Sequence, residues 1–231
     1  GAGMLSGPRW LALEVKYLDR ARSFYEAFLD LDVRRESDTR AALGVGETDL
    51  ILRAPSTVPR GGLHTHYAMT VPSTEYDDWY SRLEERFDLV EHQFGDARSL
   101  YFYDTEGNCV ELGERSRPDG SGVCGLFEVV FEVEDLSRAV DFYTAAGFEV
   151  VDRGADRQRV RLSCGAFDVE LWEPHLGLAD ARGGVHVDLG IGAEDPTAVA
   201  ASVRDRALAV ETLEDGVRVR DPDGPYLTFL L

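Results

Sequence analysis

The stretch EDLSRAVDFYTAAGFEV, residues 134–150, has a degraded copy earlier in the chain, YLDRARSFYEAFLDLDV at residues 17–33. The two stretches are offset by 118 residues, about half of the 231-residue chain. Positions that are identical in both include Leu18 and Leu136, Arg20 and Arg138, Ala21 and Ala139, Phe24 and Phe142, and Tyr25 and Tyr143. Chance is a poor explanation for an aromatic pair that keeps its register with an upstream Arg-Ala. We therefore interpret the chain as a twofold duplication.

Each copy follows a strand-like run and has the pattern of a short amphipathic helix. The run LFEVVFEVE at residues 126–134 is rich in β-branched and aromatic residues, which is typical of a strand. The apolar residues that then recur at helical spacing are Ala139, Phe142, Tyr143 and Ala146. We expect Ser137 to cap the start of this helix, with Asp19 at the equivalent place in the first copy, and Gly147 to end it.

Hairpin patterns complete a repeating unit of one strand, one helix and three further strands. The predicted hairpins lie at residues 39–53, 99–114, 157–173 and 216–231, and two further helices are predicted at residues 73–87 and 195–208. The chain is thus predicted to hold four βαβββ units. We place two units in an N-terminal half, residues 4–114, and two in a C-terminal half, residues 123–231. The Gly-, Pro- and Ser-containing segment 115–122 is the predicted linker.

The composition predicts a dispersed negative charge. Acidic residues outnumber basic ones by 43 to 24, the formal net charge is −19, and Lys16 is the only lysine. Scattered acids with almost no lysine resemble the surfaces of proteins from salt-accumulating halophiles, where salt screens the repulsion between like charges. The same balance argues against nucleic-acid binding, which requires basic patches.

Neither membrane insertion nor a disulfide framework is expected. The sequence contains no run of about 18 apolar residues that would span a bilayer, and it opens with no signal peptide. Cys109, Cys124 and Cys164 lack the spacing of a zinc site and cannot all pair with one another. We therefore expect reduced thiols and a cytoplasmic location.

Three features of the chain resemble the vicinal oxygen chelate superfamily, which includes glyoxalase I, bleomycin-resistance proteins and extradiol dioxygenases. One is the strand followed by DLSRAVDFYTAAGF. Another is HYAMTV or HVDLGI, which opens the second unit of each half, and the third is the pair of unit endings DTEGNCVEL and DPDGPYLTF. The resemblance implies an α+β fold in which βαβββ units face each other and form cupped mixed β-sheets with the helices outside.

The resemblance also implies where the ligands of a divalent metal ion would lie, since each unit can offer one from its first strand and one from its last. Carried over unit by unit, these positions are Trp10 and Ile51, His66 and Glu111, Glu128 and Glu170, and His186 and Thr228. Strand alternation supports the three glutamates, because each should point away from its apolar neighbours. Around Glu128, for example, we expect Phe127 and Val129 on the opposite face. His64, two residues before His66, competes for the ligand role.

The pairing of the units decides which of these ligands meet. If unit one pairs with two and unit three with four, as in extradiol dioxygenases, both sites are incomplete. If unit two pairs with unit three and unit one with unit four, as in a fused glyoxalase I dimer, one site contains His66, Glu111, Glu128 and Glu170. The other site then has only His186. We favour the second pairing, because one complete and one decayed site is what duplication followed by loss would leave.

The resemblance implies one divalent metal ion held by an imidazole and three carboxylates. Its identity stays open among Mn, Fe, Ni, Mg and Zn, although oxygen-rich ligation favours Mn, Mg or ferrous iron over zinc. The metal would stabilise an enediolate, while Glu111 or Glu170 moves a proton at the adjacent carbon. Tyr101, Tyr103 and Trp172 are expected to line the cup.

Three functions remain open at this point. The one we favour is a glyoxalase-like lyase or isomerase that acts on a small oxygen-chelating substrate. An alternative is a metal-free binding protein of the bleomycin-resistance type, whose acidic cup would suit a cationic ligand. The third is an extradiol dioxygenase, for which ferrous iron needs two histidines and one carboxylate, a set that requires both His64 and His66. In each case we expect a small-molecule partner and a monomer or homodimer.

Overall fold

The structure is a computed structural model that describes residues 4–55, 64–117, 119–156, 158–174 and 187–231. The helices are α1 (Leu18–Leu29), α2 (Tyr76–Glu84), α3 (Leu136–Ala146) and α4 (Pro196–Val203), with a short 3-10 helix at Ser73–Glu75 ahead of α2. The strands of the first half are β1 (Leu5–Glu14), β2 (Val33–Glu36), β3 (Arg40–Val45), β4 (Thr48–Arg53), β5 (His64–Pro72), β6 (Val90–Phe94), β7 (Ala97–Tyr103) and β8 (Cys109–Arg115). The strands of the second half are β9 (Gly125–Glu132), β10 (Glu149–Arg153), β11 (Arg159–Cys164), β12 (Phe167–Trp172), β13 (Val187–Ala193), β14 (Ala209–Thr212), β15 (Gly216–Arg220) and β16 (Tyr226–Leu230).

This order repeats one strand, one helix and three strands four times, so the predicted βαβββ units are confirmed. The strands form two eight-stranded mixed sheets. One has the order β14-β15-β16-β13-β1-β4-β3-β2, and the other has the order β10-β11-β12-β9-β5-β8-β7-β6. The first sheet therefore joins units one and four through the antiparallel pair β1 and β13, and the second joins units two and three through β5 and β9. The favoured pairing is confirmed, and the pairing of unit one with two is wrong.

A shared apolar core lies on the helix-covered faces of the two sheets. The aromatic side chains of the repeated stretch, Phe24, Tyr25, Phe142 and Tyr143, are all buried in it. Aromatic pairs prefer edge-to-face contacts, and the rings of Phe142 and Tyr143 meet in this way, with centroids 5.1 Å apart. Among the described residues, no helix is long and apolar enough to cross a membrane.

The repeated tyrosine ties neighbouring units together. The Tyr25 hydroxyl donates to Asp104 Oδ2 at 2.6 Å and lies 2.5 Å from the Tyr67 hydroxyl oxygen. In the second half, the Tyr143 hydroxyl donates to Asp221 Oδ2 at 2.6 Å. In each half, the helix of one unit is thus bonded to the last turn of the next unit, although the two units belong to different sheets. This contact gives the Phe-Tyr repeat a structural role.

Helix starts differ from the sequence-based expectation by two residues. Asp135, not Ser137, caps α3, and its carboxylate accepts a hydrogen bond from the backbone N–H of Arg138 at 3.0 Å. The first helix likewise begins before Asp19, which lies inside the first turn. The predicted end is confirmed, because Gly147 adopts a φ of 116°, in the left-handed region that favours glycine.

Candidate metal centre

Three of the four predicted ligands lie on adjacent strands of the sheet formed by units two and three. In the strand register, Ala68 of β5 lies between Glu111 of β8 and Glu128 of β9. His66 precedes Ala68 by two residues and therefore projects from the same face of β5. Since neighbouring strands are about 4.8 Å apart, both carboxylates come to flank the imidazole.

The side chains of these three residues converge. His66 Nε2 lies 3.1 Å from Glu111 Oε1 and 3.5 Å from Glu128 Oε1. One potential ligand atom of each residue lies within 4.8 Å of the other two. The side chains of His66, Glu111 and Glu128 are only 6%, 5% and 12% exposed. Buried carboxylates this close together favour a cation between them.

The position of Glu111 is set by the neighbouring strand. Ser99 Oγ donates to Glu111 Oε2 at 2.8 Å, and Tyr101 lies directly opposite Glu111 in the pairing of β7 with β8. The Tyr101 ring meets the His66 ring edge-on, with centroids 5.6 Å apart. These contacts hold the carboxylate and the imidazole against each other.

The electrostatics of the cluster reflect the burial of like charges. Burial lowers the pKa of His66, but hydrogen bonds and charge interactions with Glu111 and Glu128 outweigh it and raise that pKa to about 9. Burial raises the pKa of Glu128 to about 7, with the charges of Glu111 and Glu170 adding to the effect. Burial raises the pKa of Glu111, but the hydrogen bond and charge of His66, together with the hydrogen bond from Ser99, outweigh it and lower that pKa. A divalent cation would relieve the carboxylate repulsion and replace the His66 proton, so this donor set fits a metal ion.

Glu170, the fourth predicted ligand, lies in the same cavity with different partners. The register places Val130 between His66 and Glu170, so their backbones are about 10 Å apart. Arg159 Nη1 and Trp172 Nε1 each donate to Glu170 Oε1 at 2.9 Å. Among the described residues, the hydrogen bonds to this carboxylate all go to Oε1. Metal ligation by Glu170 stays a prediction.

The side chain of Phe127 enters the cup, although strand alternation predicted that it would point into the apolar core. Consecutive residues of β5 pair with Glu128 and Leu126, which leaves Phe127 as the extra residue of a β-bulge. The core position is filled by Leu126 instead. The Phe127 ring lies over Gly113 of β8, where a Cβ would come within 2.8 Å of the ring. The bulge thus places an aromatic ring beside Glu128.

The cluster opens into a cavity of about 590 Å³. Its aromatic lining residues are His66, His92, Phe94, Tyr101, Phe127 and Trp172, and its charged ones are Glu111, Glu128, Glu170, Asp156, Arg115, Arg159 and Arg161. The predictions for Tyr101 and Trp172 are confirmed. The prediction for Tyr103 is wrong, because it lies at the end of β7, 46% exposed and outside the lining.

Sequence reasoning missed His92 and the three arginines. Arg159 and Arg161 alternate with the buried residues Val160 and Leu162 along β11. That alternation is readable in the sequence and assigns the two arginines to one face of the strand. It does not reveal that this face meets the cavity, because the strand order was needed for that.

Among the described residues, the corresponding face of the other sheet carries a small apolar cluster. Trp10 and Ile51, which cannot bind a metal, pack there with Ala12 and Ala42, and a Cβ on Gly190 would collide with the Trp10 indole. Thr228 and Arg53 both interact with Asp188, at 3.1 and 3.5 Å. His186 and the side chain of His64 lie outside the described residues.

Comparisons with known proteins agree with this architecture. Residues 7–112 match the family model of the Glyoxalase/Bleomycin resistance protein/Dioxygenase superfamily. Metallothiol transferase FosB from Staphylococcus haemolyticus is 29% identical over 123 residues, which cover 50% of this chain and 88% of FosB. FosB from Staphylococcus epidermidis is 28% identical over the same length.

The solved structures extend the likeness to both halves. A glyoxalase I mutant from Zea mays has a TM-score of 0.74 at 19% sequence identity, over 97% of this chain and 93% of the maize chain. The match to FosB covers about half of this chain, which agrees with a duplication, and the maize enzyme shares the fold over nearly the whole length. The chain thus matches the glyoxalase/bleomycin resistance protein/dioxygenase superfamily over residues 7–112 and has the glyoxalase-like fold in both of its halves.

Proposed function

We propose that this protein is a metal-dependent lyase or isomerase that acts on a small substrate with adjacent oxygen atoms. The observation that carries the proposal is the convergence of His66, Glu111 and Glu128, with ligand atoms within 4.8 Å of one another on the wall of a 590 Å³ cavity. A wholly structural cluster would not need two buried glutamates beside an imidazole at an opening that admits a small molecule.

His66, Glu111 and Glu128 would hold the metal ion, which leaves Glu170 for proton transfer. When bound there, a divalent cation supplies Lewis acidity at the oxygen atoms of the substrate. An oxygen-rich set with a single imidazole favours Mn²⁺, Mg²⁺ or Fe²⁺ over Zn²⁺. The match of residues 7–112 to the superfamily model and the likeness of the chain to a metallothiol transferase support metal dependence.

We assign the proton transfer to Glu170 rather than Glu111. Glu111 is engaged by His66 and Ser99, whereas Glu170 is held through Oε1 alone by two donors, Arg159 and Trp172. Such a fixed carboxylate can accept a proton at Oε2 from the carbon next to the chelating oxygens. The aromatic walls would reduce the access of water to that carbon.

Metal content and metal binding test the site directly. We expect about one divalent ion per chain in native protein, and at least a ~10-fold weaker affinity in Glu111→Gln by calorimetric titration with Mn²⁺. Glu149→Gln, the same change at an exposed position of β10, is the matched control and should bind like wild type. Full metal occupancy in Glu111→Gln would remove the proposal.

Turnover separates the roles of the glutamates. Glu170→Gln should keep most of its metal yet lose at least ~100-fold in kcat, the loss expected on removal of a general base. The assay uses α-oxo aldehydes with and without an added thiol, because the likeness to FosB favours thiol transfer as a second candidate. A thioester isomeric with the hemithioacetal would identify the isomerase, whereas any other thiol adduct would identify a transferase. Robust oxygen uptake with catechols would instead establish a dioxygenase.

We also propose a reducing, salt-rich cytoplasm as the environment of this protein. Cys109, Cys124 and Cys164 are free thiols, and burial raises the pKa of Cys164 to about 12. The net charge is −19, so self-repulsion should weaken the fold at low ionic strength. The melting temperature should therefore rise between ~0.1 M and ~2 M KCl, and a flat or falling profile would contradict the salt-rich assignment.

A further inference from the structure

Two arginines of the cavity have incomplete partners. Arg161 lies 3.5 Å from Asp152 and 4.0 Å from Asp168, longer than the 2.7–2.9 Å of a charge-assisted hydrogen bond. Its Nε is buried without a hydrogen-bond partner among the described residues. Arg115 donates to the backbone carbonyl of Glu114 at 2.7 Å, and its guanidinium lies 4.2 Å from the centre of the Phe127 ring. Within the described part of the chain, neither guanidinium has a carboxylate oxygen closer than the 3.5 Å between Arg161 and Asp152.

The third arginine does not share this property. Arg159 donates to Glu170 Oε1 at 2.9 Å, so its charge is matched inside the cavity. The lining as a whole has three arginines and four acids. The two positive charges of a divalent ion would make this lining net positive. A metal-loaded cavity would then favour an anion over the cationic ligand expected of a metal-free acidic cup.

The arginines also lie at a distance from the candidate metal ligands. Arg115 follows Glu111 by four residues on the same face of β8, about 13 Å along the strand. Arg161 lies opposite Glu170 on β11, two strands beyond β9 and Glu128. The Phe127 ring, next to Arg115, lines the same cavity.

We propose that the substrate is an organic oxyanion whose carboxylate or phosphate is bound by Arg115 and Arg161, while its adjacent oxygens reach the His66 cluster. An apolar body between the two ends would pack against the aromatic wall. The contact between the adjacent oxygens and the His66 cluster rests on the proposed function. The contact between the anion and the arginines does not, because it requires no metal ion. The anion sets the substrate class, and the cluster sets the reaction.

Calorimetric titration with 4-(1,2-dihydroxyethyl)benzoate, its methyl ester and phenyl phosphate tests the arginine contact, in the presence and absence of Mn²⁺. The benzoate and its methyl ester share one body and differ in charge, and phenyl phosphate distinguishes a phosphate preference from a carboxylate one. The variants are Arg115→Gln and Arg161→Gln. The matched control is Arg218→Gln, which lies opposite Thr228 in the other sheet as Arg161 lies opposite Glu170.

We expect at least one of the two anions to bind ~10-fold or more tightly than the ester. Each of the two variants should lose ~10-fold or more of that affinity, whereas Arg218→Gln stays within ~2-fold of wild type. Mn²⁺ affinity, measured separately, should be unchanged in both variants, and their thermal unfolding should match wild type. Equal binding of the ester and the anions, no binding of either anion, or insensitivity to Arg161→Gln would overturn the proposal. If no metal binds but the anion still needs Arg161, only the proposed function fails.

Discussion

At the scale of single residues, the site depends on His66 and the two carboxylates beside it. Burial by itself would deprotonate the imidazole, whereas Glu111 and Glu128 stabilise its protonated form and bring its pKa to about 9. Burial and the neighbouring carboxylates also affect Glu128, and they raise its pKa to about 7. In the metal-free protein a proton occupies the place for which a cation would compete.

The stability of the metal-free protein should therefore fall as the pH rises. The folded-state pKa of His66, about 9, exceeds its ordinary value of 6.5, so its contribution is full below pH 6.5 and is lost as the pH rises through 9. The raised pKa of Glu128 acts in the same direction at lower pH. We expect a loss on the order of 3 kcal/mol between about pH 6 and pH 9.5, measured by urea unfolding.

The variant His66→Gln isolates this contribution. It has no titrating group at the position, so its free energy of unfolding should change much less over the same pH range. Metal-free samples are essential for both proteins, because a bound ion would remove the His66 proton. Parallel pH profiles for wild type and His66→Gln would contradict the assignment.

At the scale of elements, hydrogen bonds across unit boundaries join the two sheets. Tyr143 is the side-chain donor to Asp221 Oδ2, whereas the other oxygen accepts the backbone N–H groups of Asp223 and Gly224. In the first half, Asp104 Oδ2 accepts from both Tyr25 and the side-chain amide of Asn108. The two tyrosine–aspartate hydrogen bonds are therefore equivalent in position, but only Asp104 Oδ2 has a second side-chain donor among the described residues.

Removing the two hydroxyls should show this difference. Tyr143→Phe leaves a buried carboxylate oxygen without its donor and should lower the free energy of unfolding by about 2–3 kcal/mol. Tyr25→Phe should cost about 1–2 kcal/mol, because Asn108 still donates to Asp104. Urea unfolding measures both, with Tyr17→Phe at a 54% exposed position as the control. A larger loss of unfolding free energy in Tyr25→Phe than in Tyr143→Phe would show that the contact of Tyr25 with Tyr67 contributes more than the second donor to Asp104 compensates.

At the scale of the whole molecule, both halves are needed to build the candidate site. His66 and Glu111 come from the N-terminal half and Glu128 from the C-terminal half, and they meet only because β5 pairs with β9. The described residues of the site thus come from a single chain. In the second cup, Trp10 and Ile51 occupy the positions of the ligands and belong to an apolar cluster.

Separation of the halves should therefore abolish metal binding. Residues 4–114 alone retain His66 and Glu111 but lack Glu128, and they expose the pairing edges of β1 and β5. We expect this fragment to self-associate in gel filtration and to bind Mn²⁺ at least ~100-fold more weakly than the full chain. Addition of residues 123–231 should restore binding. Affinity like that of the full chain in the isolated fragment would contradict the cross-half site.

Local signals in the sequence were enough for the units and for part of the site. Helical spacing and alternation depend on residues close in sequence, so the four βαβββ units and the cup-facing side of Glu111 followed from them. The prediction for Phe127 was wrong because a bulge depends on the partner strand, which local alternation does not contain. The pairing of two with three was favoured from an argument about duplication, not from a physical signal in the residues.

The sequence by itself thus determined the repeat, the fold class and which side chains leave the core, because periodicity is a property of one segment. Only the tertiary structure decided that His66, Glu111 and Glu128 meet, that Glu170 is held by Arg159, and that Arg161 faces the same cavity. The physical reason is that contacts between strands distant in sequence depend on strand order and register. Those are set by how the two halves bury their shared apolar faces against each other, and no single segment specifies that arrangement.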